Sequence, residues 1–205
     1  MSNEQEVKLA SKWYDTPGRK YHTLDHALAV VGVCDWLENQ CGDGKNATVL
    51  RLAALYHDAV YIQGFTANEA ASAKAFHLDV KALRLAGTSI TDKEVEAVET
   101  LIRGTVIEEH LTSCRIDGVR AILMDADLAS LGEPYEVFVQ NQSNILEEAG
   151  YDNSQRHLSA EFLMKFLVCR SHIFHTHACR ISLEWRAREN IERFASEFHA
   201  GVELS

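Results

Sequence analysis

The sequence predicts an all-α protein, a single helical bundle of roughly eight or nine helices closing on a buried metal site. Apolar residues return every three or four positions along nearly the whole 205-residue chain, the period of a helix with one buried face. Two prolines and eleven glycines are too few turn-makers for a fold of many short strands. The length suits one domain spanning residues 1–205, large enough to enclose a pocket in its core.

Taken in order, a first helix covers about residues 3 to 15 and stops near Pro17, and Gly18-Arg19-Lys20 makes a short basic link to a second from about His22 to Gln40. After a turn at Cys41-Gly42-Asp43-Gly44, the most apolar helix runs from about Asn46 to Tyr61, and a loop through Gly64 leads to a fourth beginning near Thr66. Thr91 with Glu94 is a capping-box pattern opening a fifth helix that ends near Gly104. The next runs from about Ile116 to Leu131, before Gly132-Glu133-Pro134. Three further stretches, 134 to 148, 154 to 171 and 178 to 198, are broken at Gly150 and at the His172 to His177 segment. No repeat and no compositional shift divides the chain.

Charge and cysteines bound the function. With 20 Lys+Arg against 30 Asp+Glu and a formal charge of −10, a general basic surface for duplex nucleic acid or anionic lipid is excluded. Five scattered cysteines without a CxxC suit reduced thiols better than a disulfide framework. The start MSNEQEVKLA has no signal-peptide pattern and no apolar run is long enough to span a membrane, so a soluble cytoplasmic protein without membrane partners is expected. There is no GxxxxGK[ST], no GxGxxG after a strand and no GxSxG, which removes support for P-loop, Rossmann and serine-hydrolase chemistry.

Three apolar stripes contain residues that do not belong in oil. His26 shares a helix face with Val30, Val33 and Leu37. In the third helix, His57 and Asp58 continue the stripe of Leu50, Ala53 and Ala54. A buried carboxylate needs an ion pair or a bound cation. Met124-Asp125-Ala126-Asp127-Leu128 offers two more acids, which lie about 200° apart on a helix, so only one of them faces a given site. Asp127, with Leu123, Met124 and Leu131 as helical neighbours, is preferred as the inward one. Two imidazoles and two carboxylates suit one divalent ion such as Mn²⁺, Co²⁺, Mg²⁺ or Fe²⁺, with positions left for water and substrate. The trio His172, His175 and His177 does not keep three rings on one helix face and reads as a hydrogen-bonded connector.

The order of these residues and their local phrasing resemble the HD superfamily of metal-dependent phosphohydrolases, specifically a predicted branch of it. The resemblance rests on Arg19-Lys20-Tyr21-His22-Thr23-Leu24-Asp25-His26, on Ala54-Leu55-Tyr56-His57-Asp58-Ala59-Val60-Tyr61, on Asn68-Glu69 before Ser72-Ala73, on Asp125-Ala126-Asp127-Leu128 before Leu131-Gly132, and on Glu184 before Ala187-Arg188 and Asn190. It implies metal ligation by His26, His57, Asp58 and Asp127, with Asp125 orienting a ligand or a water. The implied activity is hydrolysis of a phosphoester of a small nucleotide-like or phosphorylated metabolite, with Asp58 also helping to orient the attacking water.

One departure is that related branches place acids three or four residues after the HD pair, where this chain has Tyr61 and Ile62. Glu69 is the nearest substitute for their general acid, although Thr66-Ala67-Asn68-Glu69 also reads as a capping box. Arg19, Lys20 and His22 around the start of the second helix offer phosphate contacts or form a solvated link. Arg188 reaches toward a phosphate or pairs on the surface with Glu184. Against the one-metal reading stands an alternative in which His77 and His110 supply a second metal, as in diiron oxygenases related to the same family, although His77 lies in a mixed helix and Glu108-Glu109-His110 reads as a solvated loop; the rival from another class is a catalytically silent module that binds a nucleotide or a protein.

Overall fold

In the computed structural model the described residues are 4–41, 44–107, 111, 116 and 118–199; His110 and Cys114 lie outside them. Every regular element among them is helical, as the apolar period predicts. The helices are α1 (Glu4–Ser11), α2 (Leu24–Cys41), α3 (Ala47–Tyr56), α4 (Asn68–Leu85), α5 (Asp92–Arg103), α6 (Gly118–Leu128), α7 (Tyr135–Glu148), α8 (Arg156–Val168), α9 (His177–Ser182) and α10 (Glu184–His199). Short 3-10 turns at Ala129–Gly132 and Asn153–Gln155 extend α6 and introduce α8. Among the described residues no helix is long and apolar enough to cross a membrane.

Among the described residues the tally exceeds the expected eight or nine because the last helical stretch divides at Leu183, where φ is −123°. The break seats Leu183 on Gly132, where an added Cβ would lie 2.9 Å from the leucine Cβ. A side chain at position 132 would therefore push α10 off the turn that follows α6.

Two identical sequence patterns have different fates. Thr91 accepts the backbone N–H of Glu94 while the Glu94 carboxylate accepts that of Thr91 at 2.8 Å, so the expected capping box forms. At Thr66 it does not. Asn68 instead folds back on the preceding loop, accepting from Ile62 N at 2.9 Å and donating to Ile62 O at 3.0 Å, so α4 starts with Ala67 at its N-cap. The wider consequence is that Glu69 is not used as a cap.

The core lies where α2, α3 and α6 pack against one another, with α4 and α5 behind α3, and α8 and α10 closing the other side. Leu37, Leu50, Leu52, Leu55, Tyr56, Phe76, Phe138 and Phe194 are fully buried there. Two buried acids tie the N-terminal segment down. Glu6 receives Arg51 Nε at 2.7 Å and Thr88 Oγ1 at 2.9 Å, and Asp79 receives Lys12, Trp13 Nε1 at 2.7 Å and the Tyr56 hydroxyl at 3.1 Å.

Candidate metal centre

α2, α3 and α6 bring four side chains together at one point: His26, His57, Asp58 and Asp127 each present one ligand atom, and these atoms all lie within 4.8 Å of one another. His26 Nε2 is 3.2 Å from Asp127 Oδ1 and 3.6 Å from Asp58 Oδ2. His57 Nε2 is 3.0 Å from Asp58 Oδ2 and 3.3 Å from Asp127 Oδ1. Neighbouring ligands around an ion held at about 2.1 Å stand roughly 3.0–3.4 Å apart, so the spacing fits a divalent cation.

The donor chemistry fits as well. His57 Nδ1 lies 2.7 Å from the Ala54 carbonyl, an oxygen that only accepts, so the proton sits on Nδ1 and Nε2 is left to face the carboxylates. That Nε2 is buried and makes no well-directed hydrogen bond, the condition of a ligand nitrogen whose partner is a cation. Burial alone would lower the pKa of His57 and raise those of Asp58 and Asp127, but their mutual attraction outweighs it. His57 is driven well above the ordinary imidazole value, and both carboxyls are held below theirs. The two imidazoles form the closed back of the cluster, at 7% and 1% side-chain exposure, while Asp58 and Asp127, at 19% and 22%, face the open side.

Local chain geometry explains why adjacent residues serve one point. On a continuing helix His57 and Asp58 would diverge by about 100°. α3 stops at Tyr56, His57 keeps helical angles, and Ala59 N returns to Tyr56 O at 3.1 Å, so Asp58 sits in a tight turn. Ser72 pins the next residue by accepting from Val60 N and donating to Val60 O.

Arg19 pins the same turn, which corrects its reading as a phosphate contact. Its Nη1 donates to Asp58 O and His22 O, both at 2.7 Å, and its Nη2 to Ala59 O at 2.9 Å, with the guanidinium over the Tyr14 ring. Both terminal nitrogens are thus engaged by carbonyls of separate chain segments. An Arg19→Ala protein is expected to lose about 3 kcal/mol of stability, because the carbonyls lose a charged donor. Urea unfolding checks this, and wild-type unfolding combined with weakened phosphate binding would return Arg19 to the substrate.

The other sequence candidates separate cleanly. Lys20 makes a surface pair with Glu147 at 2.9 Å. The anion-accepting N–H groups before α2 are filled by the protein itself: Glu148 Oε2 accepts from the backbone of Lys20, Tyr21 and His22 at 3.1, 2.7 and 3.0 Å. Sequence reading missed Glu148, whose partners are more than 120 positions away. His22 does reach the site, stacked on Tyr61 with ring centroids 3.9 Å apart and with Nδ1 3.3 Å from Glu148. Burial would lower its pKa, but Asp58 and Glu148 together raise it.

Asp125 points elsewhere. Fully buried, it accepts from His175 N at 2.7 Å and Thr176 N at 2.6 Å, holding the connector before α9 and not a metal ligand or a water at the centre. Arg188 is likewise structural, donating to Glu184 Oε1 at 2.7 Å and Ser171 O at 2.6 Å. Glu184 is no surface partner but a buried acceptor for Ile173 N and Phe174 N. His175 bonds Arg170, consistent with a connector. His77 lies on the exposed side of α4 against Glu99 at 2.7 Å, and it does not belong to the four-residue cluster.

A cavity of about 430 Å³ opens against Asp58 and Asp127 and is lined on its polar side by Tyr21, His22, Tyr61 and Glu69. Glu69 forms no hydrogen bond or ion pair with the described residues. Comparison with protein-family models, curated proteins and solved structures finds no match to this chain.

Proposed function

We propose that this protein is a metal-dependent phosphohydrolase of the HD type, acting on the phosphoester of a small molecule. The observation that carries it is the convergence of two imidazoles and two carboxylates at the end of a cavity, with the carboxylates on the cavity side. The order His26, His57-Asp58, Asp127 and its resemblance to the HD superfamily support the same assignment.

His26, His57, Asp58 and Asp127 would hold the ion. A divalent ion there supplies Lewis acidity toward a phosphoryl oxygen and an acidified water as nucleophile. Asp58, its carboxyl held below the usual range by His57 and its backbone anchored by Arg19, would help orient the attacking water. Glu69, in the cavity wall with no hydrogen bond or ion pair to the described residues, would give a proton to the departing oxygen. His22, with Nδ1 3.3 Å from Glu148 and its ring in the cavity lining, would offer its other nitrogen to an anion. A cytoplasmic location goes with this assignment, in keeping with a sequence whose five cysteines are scattered and form no CxxC.

Elemental analysis of the purified protein, followed by a screen of phosphomonoesters, nucleotides and cyclic nucleotides with Mn²⁺, Co²⁺, Mg²⁺ and Fe²⁺, tests the proposal. Bound metal with turnover that disappears in Asp58→Ala is the expected result. A protein inert to all four ions overturns it; ligand binding without turnover favours the silent module, and about two irons per chain the oxygenase.

A further inference from the structure

The cavity is chemically divided. One end carries the carboxylates of Asp58 and Asp127, whereas an apolar wall is formed by Leu131, Ile145, Leu146, Phe162, Leu163 and Phe166, from the 3-10 turn after α6, from α7 and from α8. A buried polar pair in that wall, Ser159 Oγ donating to Gln142 Oε1 at 2.7 Å, bonds within itself. The apolar surface continues to the mouth, where Tyr151, Leu158 and Phe162 are 42%, 37% and 37% exposed. Among the described lining residues there is no lysine or arginine. Arg19 and Lys20, the cations nearest in sequence to His22, are engaged with backbone carbonyls and with Glu147.

Such a pocket is poorly matched to a polyphosphate. Each additional phosphate would be desolvated against leucine and phenylalanine with no lysine or arginine among the described lining residues facing it, an expensive burial. One phosphoryl group is different, because the four-residue cluster that would hold a divalent ion and His22 meet the cavity at its polar end. The volume is in the range that encloses a small molecule, and a mainly apolar lining with a few convergent polar groups is the usual composition of such sites.

We propose that the molecule acted on at this centre carries a single phosphoryl group on an apolar body, with the phosphoryl end at Asp58 and Asp127 and the body against the α7 and α8 wall. This substrate class rests on the phosphohydrolase assignment, but binding tests it separately. The Mn²⁺-loaded protein is titrated by calorimetry with non-hydrolysable alkylphosphonates from methyl to octyl, below their aggregation thresholds, and with nucleoside mono-, di- and triphosphates.

Affinity is expected to rise about fourfold for each methylene buried until the cavity is filled. A Phe162→Ser protein, altered at a half-exposed position, is expected to keep its metal and bind octylphosphonate about tenfold more weakly. Affinity independent of chain length, or a nucleoside triphosphate binding more tightly than octylphosphonate, overturns the inference. If the chain-length dependence appears but octyl phosphate is not hydrolysed with any of the four metals, the ligand class stands and the phosphohydrolase assignment fails.

Discussion

Replacing His57 by alanine is expected to weaken divalent-metal binding by more than about 100-fold, because losing even an outer partner of a ligand costs 10 to 100-fold and His57 would be a ligand itself. Its Nε2 is buried and faces both carboxylates, and the Ala54 carbonyl fixes its ring, so the nitrogen is held where the ion would sit. Asp58→Ala and Asp127→Ala are expected to behave alike, with loss of turnover in each. Metal binding stabilises the folded chain, so the wild-type melting temperature should rise with added ion while that of each variant should not. Acid should release the ion. Without a cation, His57 holds its proton well above the ordinary value, and a proton on Nε2 excludes metal, so affinity falls as pH is lowered. Wild-type metal content in purified His57→Ala, measured by elemental analysis, would refute the assignment.

How much of this was legible in the sequence depended on how local the determining contact is. The helical period placed His26 and Asp127 on inward faces, because α2 and α6 are regular helices through those positions. Asp58 reached the cluster for a different reason: α3 ends at Tyr56, and the turn rather than a continuing helix face carries the carboxylate inward. The capping-box pattern was a true signal at Thr91 and a false one at Thr66, since the competing ring between Asn68 and Ile62 forms only when the loop folds back. Residues acting across long sequence distances were misread. Arg19 clamps carbonyls of Asp58 and Ala59, some 40 positions away, and Glu148 fills the N–H groups that looked free for a substrate anion. A periodic pattern reports which face is buried, and it does not report what arrives to cover it. The acidic pair in α6 shows the same limit: the 200° separation said that Asp125 and Asp127 differ in role, but only the packing of the 172–177 connector says what Asp125 does.

An Asp125→Ala protein should accordingly lose about 3 kcal/mol of folding stability while retaining its metal. The carboxylate is fully buried and its oxygens accept the backbone N–H groups of His175 and Thr176 at 2.7 and 2.6 Å, one to each oxygen. Burial raises the pKa of Asp125 in spite of these hydrogen bonds, so its charge is itself costly to keep. The loss on truncation therefore comes mainly from leaving two N–H groups of the connector without an acceptor. The connector leads directly into α9, whose first turn is capped by Thr176 accepting from Cys179 N at 3.2 Å, and α9 packs on α2 and α10. Losing the anchor loosens that cap as well. Asp125→Asn should recover only part of the loss, since its amide retains one acceptor oxygen and turns a donor toward the other N–H. Urea unfolding and metal content, measured side by side for Asp125→Ala and Asp127→Ala, separate the two acids: the first should unfold early with its ion bound while folded, and the second should lack the ion. An Asp125→Ala protein that unfolds at the wild-type urea concentration but has lost its metal would mean that Asp125 is the ligand and that the four-residue centre is wrongly assigned.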